Sequence, residues 1–299
     1  MELSGWVSAL RLKFLTATFV PVTLSFSLAQ WQGYDTSLLL GLISFLSIGA
    51  IQVGANLSND YFDHLSGNDE KNTSGSHFSG GSRAIQKGIL TPKQVLKSAI
   101  GFYMFGLVGG VATAIYLNIP EIAGLYVLGV LLAYYYCAPP AKLAYRGYAE
   151  ASNFVAFGPL ITVTAYITQT GAFNAQTLLS SFIPGLHLAL VLLINEFPDY
   201  KADKEAGKKT MVVRYGPKTA VCLFHIGLQF VYIYLALLVL LKVLPILSIF
   251  GIVTLPLAYR IKENSGKHYL NPPLLESSNK GMILLHLSFG TIIAASLLV

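Results

Sequence analysis

The sequence predicts an all-α membrane protein, a bundle of about nine transmembrane helices arranged as two four-helix repeats plus one helix. Hydrophobic residues make up 54% of the 299 residues and charged residues only 11%, against roughly 25% charged in a soluble domain. The mean hydropathy is +0.60. The apolar residues form repeated runs of about 17 to 24, long enough to cross a bilayer core. We therefore expect one membrane-embedded domain over residues 1–299.

The helix positions follow from these apolar runs and from the short polar breaks between them. Helices are predicted over residues 14–31, 38–58, 95–117, 122–138, 150–168, 177–195, 219–241, 244–259 and 281–298. The two long polar breaks, 59–94 and 195–218, are predicted as loops that carry the functional motifs.

Positive charge alternates along the chain. There are 20 lysines and arginines. All but Lys242 lie before the first predicted helix, or within or close to the connections that follow predicted helices 2, 4, 6 and 8. Because cytoplasmic loops collect Lys and Arg, the N-terminus and both motif loops are expected in the cytoplasm and the C-terminus outside. The net charge of +6 then reflects topology in the lipid bilayer, and we expect no nucleic-acid partner.

Acidic residues concentrate in two places. Eight of the 14 lie in stretches that follow the second and sixth predicted helices, and both stretches begin with Asn, an acid, two further residues and Asp. The first contains Asn59, Asp60, Asp63, Asp69 and Glu70, and the second contains Asn195, Glu196, Asp199, Asp203 and Glu205. A carboxylate at mid-bilayer costs roughly 2.5–3.5 kcal/mol, so these clusters belong at a cytoplasmic rim or in a wet cavity.

The acidic stretches predict a metal site. If the helices continue briefly, Asn59 and Asp63 share a face, as do Asp199 and Asp203. Oxygen-only ligand sets suit Mg²⁺, which completes its shell with water and phosphate oxygens. Two facing sites would clamp a diphosphate. The predicted ligands are Asn59, Asp60, Asp63, Asp69, Asn195, Asp199 and Asp203.

A plainer interpretation is that these acids only solvate loops. The duplication argues against it, because the motifs lie 136 residues apart and each follows the second helix of a predicted four-helix block. An even-numbered repeat keeps both motifs on one side of the membrane.

Basic residues in Gly-rich segments are candidate phosphate ligands. The Gly/Ser-rich stretch 72–82 runs into Arg83 and Lys87, and a plain flexible loop is the alternative. The segment from Gly207 to Thr210 is similar and supplies Lys209, but it lacks the upstream glycine of a nucleotide P-loop.

A tyrosine-rich connection follows the fourth predicted helix. Tyr136 offers a π-face that can stabilise an allylic cation, and Lys142 or Arg146 can hold a leaving diphosphate. An interfacial aromatic belt is the alternative interpretation of these tyrosines.

Together these motifs resemble the UbiA prenyltransferase family. Its first aspartate motif is matched by Asn59, Asp60, Asp63 and Asp69, and its second by Asp199 and Asp203. The segment Gly-Gly-Ser-Arg83 and the run Pro-Pro-x-Lys-x-x-Tyr-Arg-Gly-x-x-Glu150 are most similar to 1,4-dihydroxy-2-naphthoate prenyltransferases. Residues 147–150 read Gly-Tyr-Ala-Glu where that branch often has Gly-Leu-Gly-Glu.

The resemblance implies that Mg²⁺ and a polyprenyl diphosphate bind among the helices, and that the prenyl group passes to an aromatic, naphthoate-like acceptor. Other acceptors stay open, namely hydroxybenzoate, homogentisate, a glycerol phosphate lipid or a porphyrin-type alcohol. A cation-coupled transporter also has repeats and intramembrane carboxylates, but those carboxylates usually lie in mid-helix. An inactive scaffold is a further alternative.

Overall fold

The computed structural model describes residues 2–72 and 78–299, with side chains from residue 5 onward, and this part of the chain contains helices and no strands. The α-helices are α1 (Glu2–Leu10), α2 (Thr16–Trp31), α3 (Leu38–Leu65), α4 (Asn68–Lys71), α5 (Pro92–Leu117), α6 (Pro120–Tyr135), α7 (Ala149–Val155), α8 (Ile161–Thr170), α9 (Ala175–Glu205), α10 (Met211–Tyr215), α11 (Pro217–Leu240), α12 (Leu255–His268) and α13 (Pro272–Ser296). A π-helical segment, Ala156–Leu160, joins α7 to α8, and a 3₁₀ segment, Ile246–Thr254, leads into α12.

The predicted apolar runs coincide with these helices. Within the described ranges, six helical segments are long and apolar enough to cross a membrane. They are Gly5–Trp31, Leu38–Leu65, Pro92–Leu117, Ala149–Thr170, Ala175–Glu205 and Pro217–Leu240. The helix α6 is apolar but shorter. The chain is therefore an integral membrane protein, while the count of nine spans and the repeat stay predictions.

Proline marks several helix starts, as expected where the first backbone N–H needs no helical partner. Pro92, Pro120, Pro217 and Pro272 each occupy the first turn of a helix. Thr91 adds a capping box with Gln94 before α5. The helices α5, α6 and α11 begin two or three residues before their predicted starts, at these prolines.

The bundle contains two apolar cores. The larger is built mainly on α9, α11 and α13 and the second mainly on α3, α5 and α6. The helix α2 packs against α3, α8 and α13, so it joins the two cores. Elements from both halves of the chain therefore surround the space between them.

Several helices extend beyond the predicted bounds. The helix α3 continues to Leu65 and α9 to Glu205, so part of each predicted motif loop is helical. The helix α13 begins at Pro272 rather than at residue 281. Hydropathy detects the part of a helix that suits a lipid core, whereas polar turns that continue outside that core give no such signal.

Candidate active site

The ends of α3 and α9 carry the two acidic motifs into one cavity. Asn59 and Asp63 lie on the last two turns of α3, and Asn195, Asp199 and Asp203 lie on the last three turns of α9. All five line a cavity of about 290 Å³. The helical i to i+4 spacing therefore brings each motif to the cavity as a single face.

The short helix α4 links the first motif to the second. It begins after a turn at Gly67, and Asn68 and Asp69 are buried in the cavity wall. The Nδ2 group of Asn68 donates a hydrogen bond to Oδ1 of Asp203 at 3.1 Å. A residue that follows the first motif therefore holds a carboxylate of the second.

Asp199 is held in the same way by the segment that follows α4. Asn72 Nδ2 donates to Oδ1 of Asp199 at 2.7 Å, and the Gly80 backbone N–H donates to Oδ2 at 3.0 Å. Residues 73–77, part of the Gly/Ser-rich stretch predicted to hold phosphate, lie outside the described residues. Asn72, before this gap, and Gly80, after it, thus both contact Asp199 of the second motif.

Gly81 is required for the burial of Asp69. Gly81 has a φ of +72°, and a Cβ atom added there would lie 2.8 Å from Oδ2 of Asp69. Burial, together with the charges of Asp63 and Asp60, raises the pKa of Asp69 to about 8. Asp69 therefore favours its neutral form, and a cation bound beside it would favour the ionised form.

Lys208 lies between the two motifs. Its Nζ atom is 3.3 Å from Oδ2 of Asp63 and 3.8 Å from Oδ1 of Asp203. Burial disfavours the ammonium, but these two carboxylates outweigh it and hold the pKa of Lys208 above its usual value. Tyr145 also contacts Asp63, because its hydroxyl donates a hydrogen bond to Oδ1 of that carboxylate at 2.6 Å.

The way in which α9 ends, at Glu205, explains why the Lys208 side chain reaches Asp63 and Asp203. Gly207 adopts a left-handed conformation with φ of +73°. The N–H of Lys208 then bonds to the Asp203 carbonyl at 2.8 Å, and the N–H of Gly207 to the Lys204 carbonyl at 3.3 Å. This is a Schellman motif, in which the chain folds back over the last helical turn. Lys208 consequently lies over Asp203.

Sequence analysis predicted Lys209 as the phosphate ligand of this segment. Lys209 is exposed and does not line the cavity, whereas its neighbour Lys208 does. The signal that distinguishes the two is Gly207, which marks the helix end and so fixes the direction of the next residue.

Asp60 and Arg11 form a separate ion pair beside the cavity. The Arg11 guanidinium donates to Oδ1 of Asp60, which also accepts the backbone N–H of Ser82 at 3.2 Å. Asp60 is buried and does not line the cavity, but Arg11 does. The sequence gives no signal for this role of Arg11, which stands there only as a basic residue before the first predicted helix.

The other predicted basic residues lie farther from the cavity. Arg83 donates to the backbone carbonyls of Asp69, at 3.1 Å, and Asn72. It therefore orders the segment that holds Asp199. Neither Arg83 nor the other three predicted basic residues, Lys87, Lys142 and Arg146, lines the cavity. Lys87 and Arg146 are exposed.

The cavity continues from the carboxylates to an apolar wall. Tyr136 lines it, and its role at the reacting carbon stays a prediction. Beyond Tyr136 the lining is mainly apolar and comes from α6, the π-helical segment and α8, through Leu125, Tyr126, Gly129, Leu132, Phe157, Leu160 and Ile161. One end is thus suited to a charged group and the other to a hydrocarbon chain.

The polar end fits a hard divalent cation. It offers carboxylate and amide oxygens, and Oδ1 of Asn68 is buried without a hydrogen-bond donor. In the described part of the chain, no three His, Cys, Asp or Glu side chains form a ready-made ligand cage. Mg²⁺ usually keeps waters and takes phosphate oxygens beside one or two carboxylates, so an incomplete protein cage agrees with that ion.

Curated relatives are similar to this chain over most of its length. The chain is 27% identical to a 2-carboxy-1,4-naphthoquinone phytyltransferase from Synechocystis sp., covering 97% of this chain and 92% of the relative. It is 30% identical to the 1,4-dihydroxy-2-naphthoate octaprenyltransferase of Bacillus subtilis, covering 74% of this chain and 68% of the relative. The Escherichia coli protein of that name is 29% identical over 72% of this chain and 70% of the relative.

The fold is shared with solved structures. A UbiA homologue from Archaeoglobus fulgidus bound to DMAPP and Mg²⁺ has a TM-score of 0.69 at 18% identity, covering 97% of this chain and 99% of the other. The fold and these relatives define the class of protein, a membrane-embedded prenyltransferase. The model of the UbiA prenyltransferase family matches residues 18–268, and the chain belongs to this family.

Proposed function

We propose that this protein transfers a polyprenyl group from an allylic diphosphate to 1,4-dihydroxy-2-naphthoate, in a Mg²⁺-dependent step of menaquinone-type quinone biosynthesis. One observation carries the proposal: the hydrogen bond from Asn68 to Asp203 joins the two acidic motifs at the polar end of a cavity with an apolar wall. Such a cavity suits a substrate that is a diphosphate at one end and a hydrocarbon at the other.

The polar end would bind the diphosphate. The residues proposed to hold Mg²⁺ are Asn59, Asp63, Asn68, Asp69, Asn195, Asp199 and Asp203. When bound, Mg²⁺ supplies positive charge that neutralises the diphosphate leaving group. Lys208 and Arg11, which line the same cavity, add charge-assisted contacts to phosphate oxygens. Asp60 orients Arg11 through their ion pair.

The apolar wall would bind the prenyl chain and exclude water. Breaking the bond between an allylic carbon and its diphosphate separates charge, and water would capture the resulting cation. The π-face of Tyr136 can stabilise that cation at the boundary between the polar and apolar parts. Once the diphosphate has left, a ring carbon of the acceptor bonds to the allylic cation. That ring carbon then loses its substituent, CO₂ from the naphthoate or a proton from another acceptor, and the ring becomes aromatic again.

The acceptor assignment has separate support. The relatives from B. subtilis and E. coli are named for 1,4-dihydroxy-2-naphthoate, and the one from Synechocystis sp. for a carboxylated naphthoquinone. The departure at Tyr148 and Ala149 from the Gly-Leu-Gly-Glu pattern keeps hydroxybenzoate, homogentisate, a glycerol phosphate lipid and a porphyrin-type alcohol as alternative acceptors.

We also propose that the chain crosses the membrane nine times with its N-terminus and both motifs on the cytoplasmic side. The support is the alternation of basic residues, from which only Lys242 departs. The predicted two four-helix repeats would put both motifs on that side.

The test is a reconstituted assay. Purified protein in nanodiscs is given a labelled polyprenyl diphosphate and each candidate acceptor in turn, with Mg²⁺ and with excess EDTA. We expect a prenylated product and diphosphate release with 1,4-dihydroxy-2-naphthoate, both lost in EDTA. Product formation with a different acceptor alone would replace the naphthoate assignment, and transfer that persists in EDTA would refute the metal requirement.

A further inference from the structure

Two glutamates outside the predicted ligand set lie together beside the cavity. Glu150 on α7 is 9% exposed and Glu196 on α9 is 5% exposed. Oε1 of Glu150 accepts the backbone N–H of Met211 at 3.3 Å, and Oε2 of Glu196 accepts that of Val212 at 3.4 Å. The helices α7 and α9 pack against each other, and the two glutamates accept from adjacent residues, so their carboxyl groups lie close together.

The pair has too few hydrogen-bond donors. Oε1 of Glu196 is buried and has no donor among the described residues. The ion pairs in the described part of the chain all lie elsewhere, so no Lys, Arg or His side chain compensates either glutamate there. A buried carboxyl oxygen without a donor is costly, which makes a ligand that supplies a donor favourable.

Glu196 itself lines the cavity. Tyr136 lines it too, and Glu196 directly follows Asn195, one of the predicted metal ligands on α9. The glutamate pair therefore borders the diphosphate end of the cavity. An acceptor ring next to Glu196 would lie near the end of the prenyl chain that bears the diphosphate, which is where the new bond forms.

We infer that Glu196, supported by Glu150, binds a ring hydroxyl of the aromatic acceptor and so helps to select hydroxylated acceptors. This inference rests on the proposed function, because it presumes an aromatic acceptor in this cavity. The hydroxyl donates its hydrogen to Oε1 of Glu196.

A purely structural role would have a different signature. If Glu196 served only to accept the Val212 N–H, its removal would weaken folding without distinguishing one ligand from another. A hydroxyl-binding role predicts a loss of affinity that depends on whether the ligand carries a hydroxyl. A thermodynamic cycle that combines a substitution in the protein with a change of ligand isolates the free energy of the contact between Glu196 and the hydroxyl.

The experiment measures equilibrium binding to protein in nanodiscs, without prenyl diphosphate, for two ligand pairs. The first pair is 1,4-dihydroxy-2-naphthoate, kept anaerobic, and 2-naphthoate. The second is 4-hydroxybenzoate and benzoate. The proteins are the wild type, Glu196→Leu, Glu196→Gln as a variant of nearly equal shape, and Glu263→Gln as a control. Glu263 is an exposed residue paired with Lys267.

In at least one of the two pairs, the wild type should bind the hydroxylated ligand about ten- to a hundredfold more tightly than the ligand without the hydroxyl, as expected for a site built around that group. Glu196→Leu should abolish most of this ratio, Glu196→Gln should retain part of it, and Glu263→Gln should leave it unchanged. A wild type that does not discriminate, or a Glu196→Leu protein with the wild-type ratio, would overturn the inference.

The two proposals fail in different ways. Discrimination by hydroxyl together with a failure to prenylate any aromatic acceptor would refute the proposed function and leave the binding site intact. Prenyl transfer without discrimination would refute only the role of Glu196. The pair of 4-hydroxybenzoate and benzoate tests the role of Glu196 if the acceptor is a hydroxybenzoate instead of a naphthoate.

Discussion

The Nδ2 amide of Asn68 lies 3.1 Å from Oδ1 of Asp203, and this hydrogen bond connects residues 135 positions apart in the chain. Asn68 follows the first acidic motif and Asp203 belongs to the second. The oxygen of the Asn68 amide, Oδ1, has no donor, and Asn68 lies in the wall of the cavity. One amide thus fixes the spacing of the motifs and offers a free oxygen to the site.

Asn68→Ala should therefore weaken metal-dependent turnover. Removing the amide leaves Asp203 without this partner and removes a candidate ligand, so we expect kcat/KM to fall about ten- to a hundredfold, as for other residues that orient metal ligands. The concentration of Mg²⁺ needed for half-maximal rate should rise. Gln30→Ala, at an exposed site on α2, is the control, and an unchanged Mg²⁺ requirement in Asn68→Ala would contradict the assignment.

Asp63→Asn and Asp199→Asn should each reduce turnover by more than about a hundredfold, because each removes negative charge from the cation site. Both changes preserve side-chain shape, so the thermal unfolding midpoint should stay close to that of the wild type. Rates are measured with saturating prenyl diphosphate and acceptor. Near wild-type turnover in either variant would refute the use of two metal-binding motifs.

Lys208→Ala and Lys209→Ala form a matched pair of neighbouring lysines. Lys208 contacts Asp63 and Asp203, whereas Lys209 is exposed. A charge-assisted contact to phosphate is worth roughly 1.5–3 kcal/mol, so Lys208→Ala should lower kcat/KM for the prenyl diphosphate about ten- to a hundredfold. Lys209→Ala should change it little. Equal effects in the two variants would mean that only general positive charge matters.

Arg83→Ala should affect the site through the loop that Arg83 orders. Its guanidinium bonds to the carbonyls of Asp69 and Asn72, and Asn72 in turn holds Asp199. We expect about a tenfold loss in kcat/KM for the prenyl diphosphate, consistent with one charged hydrogen bond. Lys142→Ala and Lys262→Ala should change it little, because neither side chain lines the cavity. A Lys142→Ala defect as large as that of Arg83→Ala would return Lys142 to a direct role.

Cysteine labelling tests the topology. Cys222 is exposed and is first replaced by Ser, whereas Cys137 is buried and can stay. Single cysteines then replace Lys87, Lys204 and Ala172. A membrane-impermeant reagent applied from the outside should label Ala172→Cys only, because the first two positions lie in the predicted cytoplasmic loops. Labelling of Lys87→Cys and Lys204→Cys on opposite sides would exclude two motifs on one face.

The sequence alone determined the features that depend on local composition. Apolar runs predicted an integral membrane protein and located the helices, because hydrocarbon thickness requires long apolar stretches. The repeated Asn-acid-x-x-Asp pattern located the acidic motifs. Helical i to i+4 spacing also correctly anticipated that Asn59 and Asp63 share one face, as the extension of α3 to Leu65 confirms.

Tertiary structure decided which side chains meet. Arg11, Asn68, Lys208 and Glu196 line the same cavity, although they come from four separate segments of the chain. Hydropathy and spacing describe each segment separately and contain no information on the angle at which two segments pack. The choice of Lys208 over Lys209 depended on the left-handed turn at Gly207, which folds the chain back over Asp203. That turn is a local signal, but its consequence exists only once α3 and α9 lie side by side.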